Sequence, residues 1–138
     1  MGLEFRVIVC GGRDYGWQMN ANRTKTVNKV EVEYLFRKLD LLIYAVEGVI
    51  GRQLVIIQGE ADGADAWAKK WAEINSIKTL DFPADWDTHK KSAGFIRNKQ
   101  MLDEGNPELV IAFKGGNGTA MMVDIARNGK VPVKEYYE

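Results

Sequence analysis

The chain has 138 residues, 46% hydrophobic and 28% charged, with nineteen basic side chains against nineteen acidic ones. That is ordinary globular composition at a length suited to one domain over 1–138, and the balanced charge offers no basic body for nonspecific nucleic-acid binding. One cysteine builds no disulfide framework, one histidine no His cluster, and no apolar run approaches the ~20 residues of a membrane span; with no signal-peptide h-region at the N-terminus, a soluble cytoplasmic protein with no metal and no cofactor is expected.

The first element is a strand over 5–10 (FRVIVC), apolar and β-branched, which stops at Gly11-Gly12. Residues 13–28 form one long irregular connection. Val32, Leu35, Phe36, Leu39, Leu42, Ile43 and Val46 then recur at i, i+3, i+4, i+7 spacing, which predicts a helix with one buried stripe. A second strand follows over 54–59 (LVIIQG), and Ala64, Trp67, Ala68 and Trp71 place a helix after it. A weaker strand over 77–82 (IKTLDF) ends at Pro83. The next helix, roughly 89–104, has a mixed stripe: Ala93, Arg97 and Met101 share a face, as do Ile96 and Gln100, which suggests that part of it borders a polar cavity. A third apolar strand, 109–113 (LVIAF), precedes a helix containing Met122, Ile125 and Ala126, closed by Gly129 with Pro132 beyond. The stretch 131–133 (VPV) suits a short last strand.

Continuous apolar runs belong to strands buried on both faces. Alternating strands and helices therefore predict an α/β fold: a Rossmann-like three-layer domain with a mostly parallel sheet of about five strands flanked by helices. Ligands of such sheets bind beyond the carboxyl ends of the strands, where loops lead into helix N-termini. Three of those loops are rich in glycine: GGRDYG (11–16), GEADGAD (59–65) and GGNGT (115–119). Glycine is also what αL turns and tight strand–helix packing require, so each loop has a purely structural reading beside the anion-binding one.

The GGNGT loop carries the stronger case, because Gly115, Gly116 and Gly118 clear space around Asn117 while Thr119 adds a hydroxyl at the helix start. It is neither a Walker A loop nor a GxGxxG fingerprint, which disfavours ATP hydrolysis and NAD redox chemistry. Asp62 and Asp65 either cap the second helix or hold ribose hydroxyls. His89 is a surface or capping histidine, or a phosphate ligand; Arg97 is an anion partner or half of an ion pair. Trp86 can stack on a base, whereas Trp67 and Trp71, at helical spacing, suit the core. Cys10 reads as a packed strand residue rather than a nucleophile.

Four motifs in order, VIVCGGRDY, VIIQGEADGADAWA, FPADWDTHKKSAGFIRNKQML and FKGGNGTAMMVDIARNGKVPV, resemble the YspA-related branch of the SLOG superfamily, Rossmann-like proteins of bacteria and phages. The superfamily also includes the lonely-guy phosphoribohydrolases, molybdenum-cofactor carrier proteins and DprA. Its enzymes share a PGGxGTxxE motif in which glycines and threonine hold phosphate and the glutamate helps break an N-glycosidic bond, assisted by an arginine on the preceding helix. Here Lys114 replaces the proline and Met122 the glutamate, while Gly115, Gly116, Gly118, Thr119 and Arg97 are kept.

The resemblance thus implies binding or sensing of a nucleotide or nucleotide-derived ligand, a nucleoside phosphate or an ADP-ribose-like molecule. Phosphate would lie on 115–119 with Arg97 and Lys114 as countercharges, and Gly11, Gly12, Arg13, Gly59, Asp62, Gly63 and Asp65 would surround ribose or a second phosphate. The alternative is a phosphoribohydrolase that uses another carboxylate: Asp62, Asp65, Asp85, Asp87 or Glu60. A nucleic-acid role by analogy with DprA finds no support in the charge. A homodimer accords with related folds.

Overall fold

The computed structural model describes residues 3–137. Strands β1 (Glu4–Cys10), β4 (Gln53–Gln58), β5 (Lys78–Asp81), β6 (Leu109–Phe113) and β7 (Val133–Tyr136) form one sheet in the order β5-β4-β1-β6-β7. Every pairing in it is parallel. Helices α1 (Lys29–Ile43) and α2 (Ala64–Ile74) cover one face; α4 (Ala93–Gly105) and α5 (Asn117–Asn128) cover the other.

The apolar runs explain this layering. Successive strand residues point to opposite faces, so Val7 and Val9 of β1 join Leu54, Ile56, Ile111 and Phe113 under α1 and α2. Their neighbours Ile8 and Cys10 join Ile57, Val110 and Ala112 under α4 and α5. Leu35, Leu39, Ala68 and Trp71 close the first layer, and Met101, Met122, Val123 and Ala126 the second. Trp71 is buried as the spacing required, and its indole N–H donates to Asp40 at 2.8 Å.

Four local features differ from the sequence expectation. Residues 13–28 are not wholly irregular: β2 (Trp17–Met19) and β3 (Lys25–Val27) form an antiparallel hairpin of their own. Its strands are short and mostly exposed, so no hydrophobic alternation announced them. Turn chemistry holds them instead: Asn22 accepts from the Thr24 hydroxyl at 2.6 Å, and Arg23 adopts φ 65°. Before its stripe ends at Val46, the first helix gives way to a wide π-helical segment, Tyr44–Ile50, which keeps Val46 buried and ends at Gly51 in the αL region. The helix expected from residue 89 begins at Ala93. A one-turn helix α3 (Trp86–His89), capped by Asp85 accepting from Thr88 N–H at 3.1 Å, and a 3-10 turn (Lys90–Ser92) precede it. Lys90, at φ 52°, prevents one continuous helix. The last strand starts at Val133, just beyond the VPV centre.

The sheet order places a topological switch beside β1. The chain leaves β1 toward β4 on one side and leaves β6 toward β7 on the other, so the loops after β1 and β6 diverge and open a crevice between them.

Candidate functional site

The crevice at the switch point is a cavity of about 450 Å³. Gly11, Gly12 and Arg13 from the β1 loop form one wall, and Gly116, Asn117, Gly118 and Thr119 from the start of α5 form the facing one. Arg97 and Asn98 of α4 reach it from the side, and Lys91, Gly94 and Phe95 complete that rim. Its charged lining side chains are Arg13, Lys91 and Arg97; among the described residues no carboxylate lines it.

Adjacent glycines of the β6–α5 loop have opposite reasons to be glycine. A Cβ on Gly115 would stand 2.2 Å from Thr119 Oγ1 and 2.6 Å from the Gly12 backbone nitrogen. Gly115 thus lets the β1 and β6 loops lie in contact, where Gly12 N–H donates to Lys114 O at 2.9 Å. Around Gly116 and Gly118, by contrast, a Cβ would meet nothing within 4 Å. Gly116 is the N-cap of α5 and has no side chain to accept hydrogen bonds. Ala120 N–H is the first to bond back, to Gly116 O at 3.0 Å, which leaves the N–H groups of Asn117, Gly118 and Thr119 outside the helical ladder. Unpaired donors and the positive end of the helix dipole therefore meet the cavity where no side chain intervenes.

Arg97 is buried at 8% exposure. Its Nη1 donates to Gly59 O, and its Nε donates to Asn98 Oδ1 at 2.9 Å. Asn98 Nδ2 in turn donates to Gly118 O at 3.2 Å. This relay joins the loop after β4 to the first turn of α5. A Cβ on Gly59 would lie 2.6 Å from Arg97 Nη1, so any larger residue there would displace the guanidinium. Burial pulls the Arg97 pKa down, the Asp65 charge pulls it back up, and Arg13 adds repulsion. A buried guanidinium with a like charge nearby favours an anion between them.

Asp65 does not cap α2, whose N-cap is Gly63. It accepts from Gly59 N–H at 3.1 Å and Ala61 N–H at 3.3 Å, and so braces the loop from below. Burial pushes its carboxyl up to about 6; Arg97 and the N–H groups of Ala61 and Gly59 oppose the rise, and Glu60 adds to it. The folded state therefore holds its proton more tightly than the unfolded chain, and the stabilisation from neutral Asp65 is complete below about pH 4 and is lost as pH rises through about 6. Asp65→Asn, neutral at every pH, gains stability relative to the wild type by on the order of 2–3 kcal/mol between pH 4 and 7. Urea titrations of both proteins at several pH values measure this; parallel pH profiles would refute it.

The other expected residues are spread around this centre. Gly59 and Asp62 line a neighbouring hollow of about 290 Å³ that shares Arg13, Ala61 and Arg97 with the cavity. Lys114 and Gly115 line a third hollow behind the Gly12–Gly115 contact, and Lys114 Nζ lies 3.7 Å from Glu31 there. Gly63 is buried at the start of α2, and His89 is exposed at the end of α3, where it lines none of these hollows. Asn98, Lys91 and Phe95 escaped the sequence reading. The mixed stripe of α4 was the available signal for Asn98 and Phe95, but it singled out Arg97 alone; Lys91 lies in the 3-10 turn before that helix. Cys10 is buried and burial raises its thiol pKa, which makes it a packed residue rather than a nucleophile.

Met122, where the resemblance to the phosphoribohydrolase motif would place a glutamate, is fully buried among Ile8, Ile57 and Val110. A carboxylate there would need to be protonated at a cost of roughly 3–4 kcal/mol at pH 7. Met122→Glu is therefore expected to lose about that much stability by chemical denaturation and to gain no glycosidase activity. A stable, active variant would show that position 122 can reach the ligand.

A family model described as "YspA, cpYpsA-related SLOG family" matches residues 5–89. The matched span runs from β1 through α3 and stops before Arg97 and the loop 115–119. Gene 61 protein of Mycobacterium phage D29 is 34% identical over 87 residues, which cover 58% of this chain and 69% of the phage protein. No solved structure matches the chain.

Proposed function

The chain belongs to the YspA, cpYpsA-related SLOG family, and from that premise we propose that it binds a nucleotide or nucleotide-derived ligand, a nucleoside phosphate or an ADP-ribose-like molecule, at the crevice between β1 and β6. Phosphate rests on the free N–H groups of 117–119, with Arg97, Arg13 and Lys91 as countercharges. The ribose turns toward Asp62, which has no partner among the described residues. The single observation carrying this reading is a cavity at the sheet's switch point with cations, open backbone donors and no carboxylate among its described lining residues.

The same observation favours holding the ligand over hydrolysing it. An oxocarbenium-like transition state calls for a carboxylate beside the bond being broken. Met122 is in the core, Asp65 is engaged by backbone N–H groups, Asp85 caps α3, and Asp62 and Glu60 stand in the neighbouring hollow. The test is native mass spectrometry of the protein with nucleoside phosphates and ADP-ribose derivatives, followed over time. An adduct of intact ligand that persists is the expected result. Loss of the adduct with release of free base would establish the hydrolase instead, and no adduct with any member of the panel would overturn the proposal. Among the described residues no helix is long and apolar enough to cross a membrane.

A further inference from the structure

We propose that Trp86 is a stacking platform for the aromatic base of the ligand and that Arg13 gates it, an inference that rests on the nucleotide-binding reading above and assigns the second hollow of the same site. Trp86 is 45% exposed although it starts a helix packed against α4. The Arg13 guanidinium lies 5.1 Å from its ring centroid. Both residues line the hollow of about 290 Å³, and Arg13 also lines the phosphate-side cavity. The ring borders both spaces: a Cβ on Gly94, which lines the larger cavity, would meet Trp86 Cη2 at 3.7 Å and Arg97 Nη2 at 3.9 Å.

A ligand with phosphate at the start of α5 and its other end past Arg97 therefore emerges at the face of Trp86. That face is covered by the Arg13 guanidinium, which costs little to displace because an exposed cation–π contact is weak. Arg13 has a reason to leave. It repels Arg97 in the free protein, and a phosphate between the two guanidiniums converts that repulsion into attraction on both sides. Base and phosphate thus act together: the base takes the ring, and Arg13 turns to the anion. Any of the common bases has a π-face, so the platform selects an aromatic base without choosing among them.

The test is calorimetric titration of wild type, Trp86→Ala and Trp86→Phe with each of the four common ribonucleoside 5′-monophosphates and with ribose 5-phosphate. At least one nucleotide is expected to bind wild type about tenfold or more tightly than ribose 5-phosphate, from the usual strength of base–aromatic stacking. Trp86→Ala should erase that gap while leaving ribose 5-phosphate affinity unchanged, and Trp86→Phe should keep most of it. The Ala variant removes an exposed side chain, so its unchanged affinity for ribose 5-phosphate also reports an intact fold. Equal wild-type affinity for nucleotide and sugar phosphate, or nucleotide affinity untouched in Trp86→Ala, overturns the platform while the phosphate site stands. Failure of every probe to bind the wild type overturns the platform, and failure of ADP-ribose added to the same panel overturns the binding site as well.

Discussion

Gly116→Asp is expected to weaken nucleotide binding at least a hundredfold while leaving the protein as stable as before, or slightly more so. The position is the N-cap of α5, with no side chain near it and no positive φ, so the new side chain meets neither a clash nor backbone strain. Aspartate is a favoured N-cap residue, and its carboxylate can accept from the N–H groups of 118 and 119 and favour the helix dipole. The gain over glycine at such a site is a few tenths of a kcal/mol. Those donors are the ones proposed for phosphate, so the carboxylate both occupies the cradle and repels the ligand. Like charges brought together at a binding surface cost several kcal/mol, and about 2.7 kcal/mol already gives a hundredfold. Gly116→Ala separates the causes: it adds only a methyl in open space and should bind nearly as the wild type does. Titration calorimetry and thermal melts of both variants are sufficient. Undiminished affinity in Gly116→Asp would remove the start of α5 from the site.

The second large effect is on folding. Gly63→Ala is expected to destabilise the protein by roughly 4–6 kcal/mol, from strain at a backbone conformation nearly reserved for glycine together with a steric clash in a packed site. Gly63 has φ 73° and ψ −128°. Its Cβ would stand 2.1 Å from Gly12 O and 2.6 Å from the Arg13 carbonyl carbon and oxygen, all backbone atoms that no rotamer change can move. Gly12 O is also the acceptor for Ala64 N–H at 3.2 Å, so separating the β1 and β4 loops breaks that bond besides relieving the clash. Urea unfolding followed by far-UV circular dichroism measures the loss. A variant within 1 kcal/mol of wild type would mean that the two loops part without cost and that their contact does not organise the cavity.

These two glycines mark where a reading of the sequence ends. The five strands, the helices between them and their parallel arrangement were legible because each rests on a local pattern: runs of Val, Ile and Leu, i, i+3, i+4 spacing, and glycine or proline at the ends. The buried stripe of Leu35 and Leu39, the core placement of Trp71 and the burial of Met122 follow from such patterns. The hairpin at Trp17–Met19 and Lys25–Val27 was not legible, since exposed three-residue strands have no periodicity to read.

Within the site, composition and order pointed to three glycine loops and to Arg97, but not to the work of each residue. Gly115 and Gly116 are neighbours in sequence, yet one is wedged against Gly12 and Thr119 while the other opens to the cavity. Asn98 matters because it reaches Gly118, and Arg97 because it reaches Gly59; in each case the partner is brought near only by the crossover from β5 to β6. The sequence by itself determined the α/β class, the order of the elements and the loops at the carboxyl ends of the strands, because these depend on local periodicity and backbone preference. The tertiary structure alone decided which glycines pack and which face the cavity, which charges meet, and that Asp65 supports a loop rather than capping a helix, because those depend on contacts between segments far apart in the chain.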